Sequence, residues 1–221
     1  TTASLIYHVL KDGLARRVHL VGNIEQPALQ FLAGAGKDDV FVYELSSFQL
    51  EMTEKLIPAV AVFTNLEEDH LDRYGDMQAY TNAKKRLLKA CDRNSYVVLN
   101  YDDPNVSRFS EENQGKLLWF TRRNPMSIGG QFAEQFCGAY HNPSNKTLIV
   151  KVTGKDESYD LTQFRLFGEH NKENLLAAVC AARTMGVSQK AIQTVINTFR
   201  GVNPRLEFIR KKDGVFFFND S

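Results

Sequence analysis

Acidic and polar side chains follow two apolar runs early in the sequence, in a pattern that could bind a metal ion and phosphate. Glu44 ends the run Val40–Tyr43, and Asp69-His70-Leu71-Asp72 follows the run Ala59–Thr64. An uncompensated carboxylate at a buried strand end is costly, so we expect Glu44 to hold a cation, with a capping or ion-paired glutamate as the alternative. A histidine flanked by carboxylates can bind metal or act as an oriented acid or base, although a loop histidine is more often structural or exposed.

Two further polar groups lie close to these strand ends. Ser46 and Gln49 belong to a polar turn whose hydroxyl and amide groups suit hydrogen bonds to a ligand, and Ser46 can equally cap a short helix. Lys84 and Lys85 fall on the predicted helix that follows, where a lysine pair usually forms a solvated face.

The segment Gly34-Ala35-Gly36-Lys37 has the composition of a phosphate-binding loop but not its spacing. Asp38 and Asp39 follow directly, and their carboxylates would repel phosphate. We therefore predict the turn at the end of a helix rather than a phosphate site.

Weaker candidates lie in the second half of the chain. Asn171 is the predicted N-cap of a helix, and Asn174, one turn further, can reach a nucleotide base or ribose. Arg205 can bind phosphate through two parallel hydrogen bonds, and Asp220 lies just past the last predicted strand. For each of them alone, a capping or surface role is the alternative.

The elements that must position these residues alternate between helices and strands. The predicted helices are Thr1–Leu14, Pro27–Ala35, Met77–Ala90, His170–Met185 and Gln189–Phe199. The predicted strands are Arg17–Val21, Val40–Leu45, Ala59–Thr64 and Tyr96–Leu99. Near-continuous apolar runs are typical of parallel strands buried on both faces. The pattern predicts an α/β fold with a doubly wound, mostly parallel sheet flanked by helices, which binds ligands at the carboxyl ends of its strands.

A section of shorter strands interrupts this alternation and predicts a smaller antiparallel part. These strands are Leu117–Phe120, Gln131–Ala139, Thr147–Val152 and Ser158–Phe167. Near the end, Arg205–Ile209 and Val215–Phe218 are predicted to form a hairpin around Lys211–Gly214.

Composition excludes several classes of protein. The chain has 221 residues, 43% of them hydrophobic and 24% charged, which is typical of soluble globular domains. The formal net charge of +1 favours neither nucleic acid nor a membrane as partner. Cys91, Cys137 and Cys180 are far apart, so neither a zinc site nor a disulfide framework is expected. We expect a cytoplasmic monomer.

Taken together, the motifs resemble the Mur ligase family, the ATP-dependent amino-acid-adding enzymes of bacterial peptidoglycan synthesis. The segments that carry the resemblance are E-L-S-S-F-Q-L-E (Glu44–Glu51), D-H-L-D-R-Y (Asp69–Tyr74), A-K-x-R (Ala83–Arg86), G-x-H-N-x-x-N (Gly168–Asn174), P-R-L-E-F (Pro204–Phe208) and the terminal N-D-S. They are most similar to the branch that adds D-glutamate to UDP-N-acetylmuramoyl-L-alanine.

The resemblance implies a role for each matching residue. Glu44 would bind one Mg2+ ion and His70 a second, while Lys84 would be carbamylated, which turns its ammonium into an anion that suits a magnesium site. Asn23, Ser46 and Gln49 would contact the muramoyl substrate. The ATP contacts would come from Thr1, Asn174, Arg205 and Asp220. The sequence departs from the family at Glu25, where the family usually has glycine.

The resemblance also implies a mechanism. ATP would phosphorylate the carboxylate of the muramoyl-bound L-alanine, and the amine of D-glutamate would attack the acyl phosphate to give an amide, ADP and phosphate. Two Mg2+ ions would neutralise the crowded phosphates.

The family's phosphate loop lies immediately before T-T-x-x-L, the segment with which this sequence starts at Thr1. We therefore expect a fragment, with residues 1–200 as the central ATP-binding domain without its phosphate loop. Residues 201–221 would be the linker and first hairpin of the C-terminal ligase domain. The chain by itself is predicted to be inactive and to bind ATP weakly.

Three alternatives stay open at this stage. The first is a sibling ligase, which adds diaminopimelate or lysine, or a folylpolyglutamate synthase. The second is a non-catalytic nucleotide-binding domain that kept the sheet and lost the chemistry. The third is a dinucleotide-binding oxidoreductase domain, which the absence of a G-x-G-x-x-G segment after a strand disfavours.

Overall fold

Helices and strands alternate along most of the chain. The structure, a computed structural model, describes residues 1–24, 26–152, 154–201 and 207–219. The helices are α1 (Thr2–Gly13), α2 (Leu29–Leu32), α3 (Ser47–Glu51), α4 (Leu71–Tyr74), α5 (Met77–Lys89), α6 (Pro104–Ser107), α7 (Pro125–Ile128), α8 (Gly130–Gln135), α9 (Glu169–Thr184) and α10 (Gln189–Thr198), with a 3-10 helix at Arg108–Glu112. The strands are β1 (Val18–Gly22), β2 (Val40–Glu44), β3 (Val60–Phe63), β4 (Tyr96–Asn100), β5 (Lys116–Thr121), β6 (Gly138–Asn142), β7 (Thr147–Lys151), β8 (Glu157–Asp160), β9 (Glu207–Lys212) and β10 (Val215–Asn219).

The main layer is a six-stranded sheet in the order β3-β4-β5-β6-β7-β8. Strands β3 to β6 run parallel, and β7 and β8 complete the sheet with antiparallel pairing. Strands β1 and β2 form a separate parallel pair. The predicted α/β class, with a mostly parallel sheet and a smaller antiparallel section, is confirmed.

The middle residues of strand β4 are apolar without interruption because the strand is buried on both faces. Val97, Val98 and Leu99 are all fully buried. Successive side chains of a strand point to opposite faces, so Val98 joins the core under α1 and α9, whereas Val97 and Leu99 join the core formed with α5. Helices therefore cover both faces of the sheet. Helix α9 is buried on nearly every side, which explains its weakly amphipathic sequence.

The middle of the chain corrects the sequence-based prediction in two places. Leu117–Phe120 lies inside β5, which is an interior parallel strand and not an antiparallel edge. Gln131–Ala139 was predicted as one strand, but its first part is helix α8 and the strand begins only at Gly138. Gly138 has a φ of 146°, and a Cβ at this position would overlap the Trp119 carbonyl. Strand β6 thus begins at Gly138, where the backbone lies so close to β5 that only a residue without a side chain fits.

Two predicted elements are shorter in the structure. The helix predicted over Pro27–Ala35 is the single turn α2, which buries none of its residues and so gains little packing energy to extend it. The strand predicted over Ser158–Phe167 ends at Asp160, because the Asp160 carboxylate accepts hydrogen bonds from the Thr162 N–H and hydroxyl groups and turns the chain.

The predicted hairpin is confirmed over the described residues. Strands β9 and β10 pair antiparallel, and Asp213 and Gly214 form the turn with φ angles of 50° and 82°. Positive φ at both positions is typical of the tight turn that joins two twisted strands. Arg205, Asp220 and Glu25 lie outside the described residues. Among the residues that the structure describes, no helix combines the length and the apolar character needed to span a bilayer.

Candidate functional site

Glu44 and Asn23 lie side by side at the carboxyl ends of two paired strands. Gly22, the last residue of β1, is in register with Glu44, the last residue of β2. The Asn23 N–H donates to the Glu44 carbonyl at 2.8 Å. Gly22 has a φ of 105°, and a Cβ there would overlap that same carbonyl, so the turn requires glycine. The predicted position of Glu44 at a strand end is confirmed.

Ser46 and Gln49 form the cap of helix α3. The Ser46 hydroxyl accepts a hydrogen bond from the Gln49 N–H at 3.2 Å, and the Gln49 side-chain carbonyl accepts one from the Ser46 N–H at 2.9 Å. This capping box satisfies two backbone donors at the helix start. The structure therefore gives both residues the capping role, while their contact with a substrate stays a prediction.

His70 occupies an unusual backbone conformation directly before α4. Its φ and ψ angles are 55° and 30°, in the left-handed region. Its N–H donates to Asp69 Oδ1 at 2.8 Å, and its carbonyl accepts from the N–H groups of Arg73 and Tyr74, both at 3.0 Å. A left-handed conformation costs a residue with a Cβ about 1–2 kcal/mol, and such costs concentrate at functional sites.

Aromatic rings pack against the His70 side chain, and one of them also contacts Lys84. The ring centroids of His70 and Phe48 are 4.9 Å apart, and Tyr80 presents an edge to His70 with a centroid distance of 6.2 Å. The Lys84 ammonium lies 5.5 Å from the Tyr80 centroid. Tyr80 and Lys84 are one turn apart on α5 and share a face of that helix. The structure thus brings His70 and Lys84 to the same aromatic ring.

Lys84 and Lys85 point in different directions, although they are adjacent on α5. Lys85 Nζ binds Glu112 Oε1 at 2.5 Å. Lys84 is partly buried, and burial lowers the pKa of its ammonium, while the nearby Asp69 and Glu44 carboxylates act in the opposite direction. Adjacent helical residues are about 100° apart around the axis, so only one of the pair can face this site. A lowered pKa increases the neutral amine, which is the form that carbamylation requires.

The side chains near Lys84 fit a magnesium ion in their chemistry. They are the carboxylates of Glu44 and Asp69, the imidazole of His70 and the partly buried lysine. Among the described residues, no group of three or more His, Cys, Asp and Glu side chains is arranged to hold a metal. Mg2+ usually takes only one or two protein carboxylates and completes its shell with water and phosphate oxygens. A carbamate on Lys84 would add a further anionic oxygen donor.

A second polar group joins the first turns of α1 and α9. The Thr2 hydroxyl donates to Asn174 Oδ1 at 2.7 Å, and the Asn174 amide donates to Asn171 Oδ1 at 3.2 Å. Asn171 was predicted as the N-cap, but the N-cap is Gly168, and the Asn171 amide instead donates to the Phe167 carbonyl at 2.7 Å. Thr1 is the N-cap residue of α1. The structure therefore brings two of the predicted ATP-binding segments together.

Sequence reasoning missed a buried carboxylate between the ends of β4 and β5. The Asp102 side chain is 8% exposed and accepts hydrogen bonds from the Thr121 hydroxyl, the Arg122 N–H and Arg123 Nε. Arg122 Nε also binds Glu173 Oε1 on α9 at 2.7 Å. Burial raises the pKa of the Glu173 carboxyl, and Arg122 opposes this effect. The available signal was the acidic pair Asp102-Asp103, which stands three residues after the apolar run that ends at Leu99.

We expect Asp102→Ala to lower the free energy of unfolding by about 1–3 kcal/mol, because it leaves a buried hydroxyl and a backbone N–H without their acceptor. Asp156→Ala is the matched control. Asp156 is 62% exposed and binds Lys151 at 3.1 Å, so its loss should cost at most about 1 kcal/mol. Urea unfolding of both variants measures the difference. Equal losses would contradict the structural role of Asp102.

Two surface hollows lie away from these residues. One of about 420 Å³ lies between β5 and α8, and one of about 340 Å³ lies on the surface of α10. Neither is lined by a predicted site residue. The candidate site is instead an open edge of strand ends, and such an edge suits phosphate groups better than an apolar ligand.

The fold and the polar groups at its strand ends define an α/β domain of the class that binds ligands at the carboxyl edge of parallel strands. Residues 1–182 match the Mur ligase middle domain. The chain belongs to the Mur ligase family.

Curated relatives align with the whole chain. The chain is 37% identical over 221 residues to the UDP-N-acetylmuramoylalanine--D-glutamate ligase of Acidobacterium capsulatum, and the alignment covers 100% of this chain and 46% of the relative. It is 39% identical over 221 residues to the ligase of the same name from Exiguobacterium sibiricum, covering 100% and 45%. The chain thus spans about half the length of the curated relatives it matches.

Solved structures share the fold. MurF from Acinetobacter baumannii superposes with a TM-score of 0.71 at 18% identity, over 100% of this chain and 48% of that protein. MurF ligase from Thermotoga maritima, solved in complex with ADP, gives a TM-score of 0.66 at 19% identity, over 99% and 49%. At these identities the likeness concerns the architecture alone.

Proposed function

We propose that this chain supplies the central ATP-binding domain of a ligase that adds D-glutamate to UDP-N-acetylmuramoyl-L-alanine in peptidoglycan synthesis. The observation that carries the proposal is that the Lys84 ammonium and the His70 ring both contact Tyr80, with the Glu44 and Asp69 carboxylates near Lys84. The choice of D-glutamate is supported by relatives at 37% and 39% identity that carry this name. Residues 201–221 are proposed as the linker and first hairpin of a C-terminal ligase domain.

Each residue has a proposed task in this reaction. Glu44, His70 and a carbamylated Lys84 hold two Mg2+ ions, which when bound neutralise the charge of the ATP phosphates. Asn23, Ser46 and Gln49 orient the muramoyl substrate so that its alanine carboxylate faces the γ-phosphate. Thr1 and Asn174 contact ATP from the adjoining ends of α1 and α9, and Arg205 and Asp220 complete the ATP contacts.

The proposed chemistry proceeds through an acyl phosphate. The alanine carboxylate attacks the γ-phosphate of ATP, and ADP leaves. The amine of D-glutamate then attacks the carbonyl carbon, the C–O bond to phosphate breaks, and the amine proton passes to solvent or a base. Because two of the three proposed substrates, ATP and UDP-N-acetylmuramoyl-L-alanine, are nucleotides of the cell interior, we propose that the protein is cytoplasmic. We also propose that it acts as a monomer.

Phosphate release tests the proposal in the complete polypeptide encoded by the gene. The assay contains Mg2+, ATP, UDP-N-acetylmuramoyl-L-alanine and one amino acid at a time. Release with D-glutamate alone is the expected result. Parallel assays replace the acceptor UDP-N-acetylmuramoyl-L-alanine. Release with diaminopimelate or lysine, on the nucleotide precursor of those ligases, would indicate a sibling ligase. Release with a folate as acceptor would indicate a folylpolyglutamate synthase. No release under any condition would favour a non-catalytic nucleotide-binding domain.

Residues 1–221 expressed alone are expected to have no ligase activity and to bind ATP weakly. The reason is that more than half the length of the relatives lies outside the matched region. Isothermal titration calorimetry with ATP and Mg2+ measures the affinity. Affinity as tight as that of the complete polypeptide would contradict this expectation.

A further inference from the structure

Two charged residues of the site motifs have no task in the mechanism described above. Glu51 is the last residue of α3, and Arg73 lies in α4, which follows His70. Arg73 Nη2 binds Glu51 Oε2 at 2.9 Å, with the two side chains 56% and 33% exposed. Exposed ion pairs contribute only about 0–1 kcal/mol to stability, so stability alone does not account for this contact.

Arg73 also lies on an aromatic ring that contacts His70. Its guanidinium carbon is 4.6 Å from the centroid of Phe48, whose ring is 4.9 Å from that of His70. The same guanidinium carbon is 5.8 Å from the centroid of Tyr74, whose ring is parallel to that of Phe48 within 3° at 6.1 Å. A cation over an aromatic face is attracted to it, so Arg73 holds Phe48 in the orientation that supports the His70 ring.

The backbone of Arg73 also contacts His70. The Arg73 N–H donates to the His70 carbonyl at 3.0 Å, so one residue restrains both the backbone and the ring environment of His70. Helix α4 has four residues, too few for a stable isolated helix. The left-handed conformation of His70 therefore needs restraint from outside α4.

Helix α3 can supply that restraint because it is anchored independently. Arg86 on α5 donates through Nε to the Leu50 carbonyl at 2.8 Å. The same helix α5 carries Lys84. Helix α3 is thus fastened to α5 by Arg86 and to α4 by Arg73, and it begins with the Ser46 and Gln49 cap.

We propose that Arg73 is a positioning residue that holds His70 in place against α3, through Glu51 and Phe48, and so couples the muramoyl-substrate segment to the magnesium-binding segment. This inference rests on the proposed function. It assigns to Arg73 no contact with substrate or metal.

The test compares Arg73→Gln, Arg73→Lys, Glu51→Gln and the double variant Arg73→Gln/Glu51→Gln in the complete polypeptide. Arg73→Gln should lower kcat by about 10–100-fold, as is usual for residues that orient metal ligands. The KM for D-glutamate and the melting temperature should change little. Arg73→Lys should lose less activity, because it keeps the charge toward Glu51 but not the planar contact with Phe48. The double variant should be no worse than Arg73→Gln, because both changes break one connection.

Arg17→Gln is the matched control. Arg17 is 62% exposed and binds Asp39 at 3.1 Å, at the amino end of β2 and therefore at the opposite end of that strand from Glu44. It should retain wild-type kcat. Equal effects of Arg17→Gln and Arg73→Gln, or additive losses in the double variant, would overturn the inference.

A binding measurement separates this inference from the proposed function. Mn2+ bound in the presence of ATP is detected by electron paramagnetic resonance, without turnover. Arg73→Gln should weaken Mn2+ binding about 10-fold or more relative to wild type and Arg17→Gln. If the wild type binds Mn2+ but shows no ligase activity, the proposed function fails while this comparison still decides the role of Arg73. Unchanged Mn2+ affinity in Arg73→Gln would overturn it.

Discussion

Replacing Lys84 by alanine is expected to lower kcat of the complete polypeptide by about 10³-fold or more, the magnitude known for loss of a charged group that stabilises a phosphoryl-transfer transition state. Lys84 is partly buried, and burial lowers the pKa of its ammonium, while the nearby Asp69 and Glu44 carboxylates act in the opposite direction. A free ammonium would repel a magnesium ion, whereas a carbamate on the same nitrogen would bind it. The loss should therefore appear in kcat and in metal binding, and not in the fold.

The carbamate itself can be observed. Protein equilibrated with 13C-labelled bicarbonate should show a carbamate carbon resonance that is absent from Lys84→Ala. Lys85→Ala is the matched control, because Lys85 is the neighbouring lysine and binds Glu112, about 100° around the helix axis from Lys84. It should retain both the resonance and the activity within about threefold, since its ion pair with the half-exposed Glu112 carboxylate involves none of the proposed metal ligands. Full activity of Lys84→Ala, or a resonance that disappears only with Lys85, would contradict the assignment.

Glu44→Gln is expected to have the second largest effect, a loss of about 10²–10³-fold in kcat. Glutamine keeps the shape of the side chain and removes only its charge at the end of β2. Because the Glu44 carboxylate raises the pKa of Lys84, its removal should also lower that pKa further. The Mg2+ concentration needed for half-maximal activity should rise, which a defect in folding would not cause.

Glu54→Gln provides the comparison for Glu44→Gln. Glu54 is an exposed glutamate ten positions further along the chain, outside the strand end. Its replacement should leave kcat and the Mg2+ dependence unchanged. If both variants behave alike, or if Glu44→Gln keeps wild-type kcat at low Mg2+, Glu44 is not a metal ligand.

The strands of the sheet were predictable because their signal is local. Val97, Val98 and Leu99 are apolar in succession, a pattern typical of a strand buried on both faces. The position of Glu44 at a carboxyl end follows from a second apolar run, Val40–Tyr43. Gln131–Ala139 misled the prediction, because a short apolar segment without clear periodicity fits a helix or a strand equally well. What separates the two is the close contact between Gly138 and β5, which involves residues distant in sequence.

The contacts among site residues were less predictable. The buried Asp102 carboxylate accepts hydrogen bonds from Thr121, Arg122 and Arg123, about 20 residues further along the chain. No local sequence pattern predicts these contacts. Ser46 and Gln49 were left open between ligand binding and capping, and the structure supplies the capping box. His70 was singled out for its flanking carboxylates. Its aromatic surroundings come from Phe48 and Tyr80, which belong to other helices, and no local pattern indicates its left-handed conformation.

By itself, the sequence determined the α/β class, the strand ends that carry polar groups and the resemblance to the Mur ligase family. These features depend on residue types at short spacing, which a linear chain displays directly. Only the tertiary structure showed that Lys84, and not Lys85, lies near the Glu44 and Asp69 carboxylates. It also showed that Arg73 contacts Glu51 and Phe48. Both depend on which side of a helix packs against the sheet, and that side is chosen by apolar contacts between segments far apart in the chain.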